Sequence, residues 1–410
     1  MYAVPPLLNY FKNMSFNKKL NSRLQNLQQQ QLYRSRRLVD SPQDVTLNIN
    51  GESLINFCSN DYLGLANHPD VKQAFKNAVD QYGVGSGASQ LVTGHQQPHH
   101  ALEEELADFF GRERVLLFST GYMANLGVVS ALTERFDEVL EDKLNHASLI
   151  DAAMLSRAKL NRFAHKDTQA LKNQLAGSNA KTKFIISDGV FSMDGDKADL
   201  NALITTANSH DAVLMIDDAH GIGVLGKTGK GIIEELETDI SQSDLPIFVG
   251  TLGKAFGTFG AFVAGSNELI ETLINYARSY VYTTAMPAAV AEATRASLKL
   301  IQQGDERREN LQSRIKQFRD GCNDLGITIS AMPEYGNFSP IQPLIVGSAK
   351  KALQLSETLQ QQGVLISAIR PPTVPQNTAR LRITFSANHS AEHVEHLLNA
   401  LSVCHCERTK

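Results

Sequence analysis

Lys254, in the segment Thr251-Leu-Gly-Lys-Ala-Phe-Gly257, follows a β-rich run at residues 246–250, so its amine is expected at a strand end beside a pocket. A free lysine, with a pKa of about 10.4, is a weak nucleophile at neutral pH. Desolvation or a cationic neighbour makes it reactive, as a Schiff base with a carbonyl compound requires. Asp217 and His220 follow the apolar run 212–216, the pattern of a central parallel strand covered on both faces. Sheets of that kind bind ligands beyond the carboxyl ends of their strands. An aspartate there can keep a pyridine nitrogen protonated, and a histidine three residues on can bond a phenolic oxygen. The bland alternatives are a surface lysine in a Gly-rich turn, a capping aspartate and a satisfied core histidine.

Residues 221–228, Gly-Ile-Gly-Val-Leu-Gly-Lys-Thr, match the phosphate-loop pattern GxxxxGK[ST], and their first six match GxGxxG. A phosphate loop runs from Lys-Thr directly into a helix, whereas Gly229 and Gly231 follow here and weaken a helix start. The dinucleotide loop keeps its first glycine against the strand, and residues 217–220 intervene. Context therefore argues against a nucleotide site, which remains the reading from a different class of enzyme.

The elements that must position these groups are legible in outline. The chain has 410 residues, 42% of them hydrophobic, enough for two or three domains and a large core. A net charge of −4 gives no support for a nucleic-acid surface. Four cysteines at 58, 322, 404 and 406 lack a disulfide framework. Cys404-His405-Cys406 has no second ligand pair, so no metal site is expected. No apolar run approaches the ~20 residues of a membrane span, and the first 13 residues lack a secretory pattern; a cytoplasmic protein is expected, with Met14 an alternative start. A polar helix is expected from Met14 through Leu32, ending in Arg34, Arg36 and Arg37, usually a solvated run. Asn50-Gly51, between two β-like runs, signals a hairpin.

From about residue 70 to 290, helices alternate with short apolar strands, so a mostly parallel sheet is expected. Strand 115–118 leads through Ser119-Thr120-Gly121-Tyr122 into a helix starting near Met123; its free amides form an anion site or an ordinary cap. His146 heads a helical pattern, where a cap or surface role is the plain alternative. Strands are also expected at 342–346, 365–370 and 380–385, with helices at 350–362 and 391–403. Alternation puts Arg380, Arg382 and Thr384 on one face; solvated edge-strand arginines are the alternative to a carboxylate anchor. The expected division is an arm at 1–50, a large domain at 51–290 and an α+β domain at 291–410.

A series of motifs resembles the α-oxoamine synthases, from about Arg34 to the last helix and in family order. It comprises Asn60-Asp-Tyr-Leu-Gly-Leu65, Gly83-Val-Gly-Ser-Gly87, Asn145-His-Ala-Ser148, Asp188-Gly-Val-Phe-Ser-Met-Asp-Gly195, Asp217-Asp-Ala-His220, Thr251-Leu-Gly-Lys254 and Arg380-Leu-Arg382. The resemblance implies the aspartate aminotransferase fold type (PLP-dependent transferase fold type I) and pyridoxal 5'-phosphate as cofactor. It implies that Lys254 carries the cofactor, Asp217 faces its ring nitrogen, His220 and Ser192 its phenolic oxygen, and that His146 stacks on the ring near the reacting carbon. Gly121, Tyr122 and Thr251 would hold the phosphate, with Thr284 reaching it from the other subunit of a homodimer with shared active sites. Arg382 and Asn60 would bind the amino-acid carboxylate, and Arg34, Arg370 and Thr373 the acyl substrate. The family commonly has glutamate where Asp188 stands. Within it, residues 341–347 and 368–375 imply the member that condenses L-alanine with a pimeloyl thioester, carried by coenzyme A or acyl carrier protein. A sister enzyme using glycine and a short acyl thioester is the alternative.

Overall fold

The structure, a computed structural model, describes residues 7–236, 240–329 and 338–406, with side chains from 15 to 404 within them. Asn50 and Gly51 both take positive φ, +52° and +84°, the geometry a two-residue hairpin turn needs. They join β1 (Thr46–Ile49) to β2 (Glu52–Asn56) as the Asn-Gly signal leads one to expect. The central sheet contains β3 (Arg114–Phe118), β4 (Glu138–Asp142), β5 (Lys159–Phe163), β6 (Lys183–Asp188), β7 (Ala212–Asp217), β8 (Ile247–Thr251) and β9 (Ala261–Gly265). Its order is β3-β9-β8-β7-β6-β4-β5. The sheet is parallel except for β9, which runs against both neighbours. The apolar runs therefore do form the mostly parallel sheet expected of them.

Alternating side chains explain why these runs read as nearly continuous. Along β7, Leu214 and Ile216 pack with Phe110, Ile185 and Phe248 in one core, whereas Met215 packs with Leu116, Ile186 and Val263 in the other. Both faces are covered, so polar residues are pushed to the strand ends. Truncating Phe248, fully buried in the first of these cores, would cost about 3–5 kcal/mol.

Helices Ala288–Gln302 and Asp305–Asp324 break at Gly304. They lead to a second sheet made of β10 (Ile341–Gly347), β12 (Ser367–Ile369) and β13 (Ala379–Thr384), in the order β10-β13-β12. The strand expected at 365–370 is divided. Its first part, β11 (Val364–Leu365), lies parallel to β2, whereas β12 pairs with β13. The break comes at Ile366, whose carbonyl is taken by Ser356 Oγ at 2.6 Å.

Two boundaries differ from expectation. The arm helix runs Leu7–Gln29 and so begins before Met14 and stops short of Leu32; Gln31 at φ +58° turns the chain away. The helix expected near Met123 spans Gly121–Leu132, because Thr120 accepts from Met123 N and caps it earlier. His405 and Cys406 of the Cys-His-Cys run have side chains outside the described residues, as does Met14.

Candidate active site

β7 delivers Asp217 as its last residue, in register with Asp188 at the end of β6, so two buried carboxyls meet at the carboxyl edge of the sheet. Asn125 Nδ2 donates to Asp217 Oδ2 at 2.7 Å, and Ala219 N donates to Oδ1 at 3.1 Å. Asn125 Nδ2 also donates to Ser148 Oγ at 2.8 Å, which leaves the serine proton for His146 Nδ1, 2.7 Å away. Nδ1 is thus an acceptor, and the network assigns the ring proton to Nε2. Crowding by the protein, helped by Lys254 and opposed by Asp217, holds His146 below its ordinary pKa although the residue is accessible. His146 is also the N-cap of helix Ala147–Leu155, so the plain capping role is real and coexists with its place at the site. Asp188 accepts from His146 N at 2.8 Å, and burial, then Asp217, pushes its carboxyl well up.

Lys254 follows β8, and its Nζ lies 2.9 Å from His220 Nε2. Desolvation lowers the amine to about 8 against the pull of Asp217 and Asp188. Burial, then the charges of Lys254 and Arg382, hold His220 well below its ordinary value, so the ring is neutral. Gly257, at φ +66°, makes the neighbouring contact possible: a Cβ there would fall 2.3 Å from Ala66 N. The lysine turn therefore rests on the backbone at Leu65 and Ala66, next to the segment carrying Asn60 and Tyr62.

Arg382 completes this side. β13 is the central strand of its sheet, so its arginines are not solvated edge residues, as the alternative had it; they are 3% (Arg380) and 7% (Arg382) exposed. Arg382 donates from Nε to Ser192 O at 2.6 Å, from Nη1 to Asn60 Oδ1 at 3.1 Å and from Nη2 to Tyr62 OH at 3.4 Å. None of these acceptors is charged. Tyr62, Asn125 and Ser148 are polar residues of the site that sequence reading missed; Tyr62 and Ser148 lie inside two of the motifs named above, whereas Asn125 gives no such signal.

The remaining expected residues fall into three places. At the start of helix Gly121–Leu132, Thr120 takes the amide of Met123, and those of Gly121 and Tyr122 have no partner among the described residues. A Cβ on Gly121 would meet open space, and the hydroxyl of the exposed Tyr122 donates to Asp151 Oδ2. Thr251 Oγ1 donates to Gly260 O at 3.1 Å, and Thr284 is exposed on a segment bridged to Ser89. Arg34 Nη2 donates to Thr373 Oγ1 at 3.2 Å, whereas Arg370 donates to the carbonyls of Gln31 and Tyr33. These three line a cleft of about 640 Å³ between the arm and β12, apart from Lys254. Arg37 lines both this cleft and a second of about 420 Å³ that reaches Asn60 and Gly253.

The phosphate-loop match is filled from within. Glu234 accepts from Thr228 N at 3.0 and 2.9 Å and from Lys230 N at 3.2 Å, so a carboxylate stands where a phosphate would have to enter. Elsewhere, donor atoms of His95, His100 and Glu103 lie within 4.8 Å of one another. Burial, however, pushes the Glu103 carboxyl up to about 8 and Leu117 N already donates to it, so at neutral pH it is a poor cation ligand.

These groups fit pyridoxal phosphate: a lysine amine poised near neutrality, a buried carboxylate at a strand end, and unpartnered helix-start amides with space above Gly121. The model of the class I and II aminotransferases matches residues 52–401. The chain is 56% identical to the 8-amino-7-oxononanoate synthase of Methylococcus capsulatus, over 93% of this chain and 97% of that protein. A serine palmitoyltransferase of S. paucimobilis with bound PLP superposes with a TM-score of 0.88 at 27% identity, covering 95% of this chain and 97% of that one. The 8-amino-7-oxononanoate synthase of Francisella tularensis does so with a TM-score of 0.74 at 32% identity, covering 87% and 99%. A likeness this long and this close places the chain in one family: it belongs to the class I and II aminotransferases, among the 8-amino-7-oxononanoate synthases.

Proposed function

We propose that the chain condenses L-alanine with a pimeloyl thioester, releasing carbon dioxide and the free thiol, to give 8-amino-7-oxononanoate for biotin biosynthesis. The observation that carries this reading is the pairing of Lys254, its amine lowered to about 8, with Arg382, whose buried charge has no carboxylate partner among the described residues. The names of the close relatives support the choice of substrates.

Pyridoxal phosphate, when bound, supplies a ring that takes up the electron pair released at the alanine Cα. Asp217 would face the ring nitrogen, His220 and Ser192 the phenolic oxygen, and the amides of Gly121 and Tyr122, with Thr251, the phosphate. Lys254 Nζ, neutral above about pH 8, takes the Cα proton. Arg382 and Asn60 hold the carboxylate; the planar guanidinium suits it. His146, neutral with its proton on Nε2, donates to the oxygen of the new ketone. Arg34, Arg370 and Thr373 receive the acyl chain, whose far carboxylate suits the arginines of the arm cleft. Coenzyme A and acyl carrier protein present the same thioester carbonyl.

We place the reaction in a cytoplasmic homodimer, with an arm, a large domain and a C-terminal domain divided near residues 50 and 290. No helix among the described residues is long and apolar enough to cross a membrane. Val84, Leu91, Val92 and Tyr282 are exposed on segments joined by the Ser89–Thr284 bridge, an apolar patch of the kind that marks an interface. Thr284 would act from there on the partner's cofactor phosphate.

The test is the visible spectrum of the protein and of Lys254→Ala, with and without L-alanine, followed by product analysis. A band that alanine perturbs, a pyridoxyl group fixed on Lys254 by borohydride and 8-amino-7-oxononanoate from pimeloyl-CoA are expected. A colourless protein that takes up no cofactor rejects the reading. Faster turnover with glycine than with alanine would point to the sister enzyme.

A further inference from the structure

Tyr62 is fully buried, yet nothing in the proposed chemistry uses it. Its hydroxyl has three neighbours: His220 Nδ1 at 2.7 Å, Asn60 Oδ1 at 3.0 Å and Arg382 Nη2 at 3.4 Å. We infer that Tyr62 is a positioning residue that joins the carboxylate anchor to the lysine and that, in the cofactor-free chain, holds His220 with its proton on Nδ1 and a bare Nε2 turned to Lys254.

Counting protons leads to this assignment. Burial pushes the phenol above its ordinary pKa despite Arg382, so Tyr62 keeps one proton to donate. Arg382 can only donate. If Tyr62 donates to Asn60 Oδ1, its oxygen accepts from both Arg382 and His220 Nδ1, and every contact is satisfied. His220 Nε2 then accepts from Lys254 whether the amine is charged or neutral. If Tyr62 instead donates to His220 Nδ1, the ring proton moves to Nε2 and faces Lys254, which tolerates only a neutral amine. The first arrangement fits a lysine that still titrates; the second opposes its charged form.

Removing the hydroxyl should therefore act at both ends. In Tyr62→Phe, an Nδ1–H would have no acceptor in a buried site, a costlier state than a bare nitrogen. The ring proton goes to Nε2, and the charged form of Lys254 loses its acceptor. The other groups facing these residues stay in place: Asp217, Asp188, Asp218 and Arg382 around Lys254, and His146 and Arg382 around His220. At the far end, Asn60 Oδ1 loses a donor and Arg382 an acceptor, so the anchor is less well held.

The test uses the full-length chain without cofactor and the reconstituted enzyme. The pH dependence of reductive methylation at Lys254, read by mass spectrometry, should show a midpoint in Tyr62→Phe about one pH unit below that of the parent. In the reconstituted variant, KM for L-alanine should rise about tenfold, with a smaller change in kcat. The KM arm rests on the proposed function; the lysine arm does not, so a protein that fails to use alanine but shows the shifted midpoint rejects only the former. An unchanged midpoint overturns the coupling, and so does a shifted midpoint with unchanged KM when the parent itself uses alanine. If Tyr62→Phe does not fold, the ring 15N shifts of His220 in the cofactor-free parent decide: a proton on Nδ1 supports the assignment and one on Nε2 overturns it.

Discussion

Arg380 and Arg382 stand two residues apart on the same face of one strand, both buried, yet they do opposite things. Arg380 donates to Asp194 and to the carbonyls of Met193 and Thr378; its charge is compensated and ties β13 to the loop after β6. Arg382 meets only neutral acceptors, Ser192 O, Asn60 Oδ1 and Tyr62 OH. A buried cation whose partners are all neutral costs stability unless an anion arrives, so the first arginine stabilises the fold and the second is the one we propose as the anchor of a substrate carboxylate. The same division separates His165, which lies between Asp142 and Asp196, from two bases of the site. Burial works against a charged His165, but Asp142 and Asp196 lift it to about 9, whereas His220 and Lys254 are pushed down.

The comparison can be broken by exchanging the phenotypes. Arg382→Ala should lower kcat/KM for L-alanine by about 10²–10³-fold, equivalent to about 3–4 kcal/mol, with urea unfolding little changed. Arg380→Ala should do the reverse, losing about 3 kcal/mol of stability with KM for alanine nearly unaffected; steady-state kinetics beside urea melts distinguish them. If Arg380→Ala lost the alanine response instead, the assignment of the anchor would be wrong. Asn60→Ala, which removes one neutral acceptor, should raise KM about tenfold, about 1.4 kcal/mol, without abolishing turnover.

The smallest effect concerns pH. The folded pKa of Lys254 lies below its unfolded value, so its charged form destabilises the cofactor-free chain fully below about 8, and the cost fades as pH rises from there toward 10.5. Lys254→Met should then be more stable than the parent at pH 7 by about 1 kcal/mol, discounted because the residue is only half-buried, and the gap should close by pH 10. His165 runs the other way: its folded pKa is raised, so its contribution is present below 6.5 and is lost as pH rises toward about 9. Urea melts of the parent, Lys254→Met and His165→Gln across this range check both signs.

How much of this was readable beforehand depended on whether a residue's partner is local. Lys254, Asp217 and His220 announce themselves because each follows a strand-like run, and strand ends are where ligands go. Asn50-Gly51 specifies its own turn. Arg380 and Arg382 look identical in an alternating strand; the alternative of solvated edge arginines fails because β13 is central, which nothing local reveals. Tyr62 is 158 residues from His220, and Asn125 is 92 from Asp217, separations at which spacing carries no information. The phosphate-loop match erred the other way, since its decisive partner, Glu234, lies six residues beyond the pattern.

The short ribbon from Val364 to Ile369 belongs to two sheets at once. Its first half is bonded to the hairpin, where Ile55 N donates to Gly363 O at 2.8 Å and Phe57 N to Leu365 O at 2.9 Å; its second half is bonded to the strand that carries Arg382. Thr384 N closes the loop onto Phe57 O at 2.9 Å. The ribbon therefore works as a rivet through two plates: the hairpin cannot slide without dragging β12 and β13 along. The strand that carries Arg382 is thus fastened to the hairpin on two sides, through the ribbon and through Phe57.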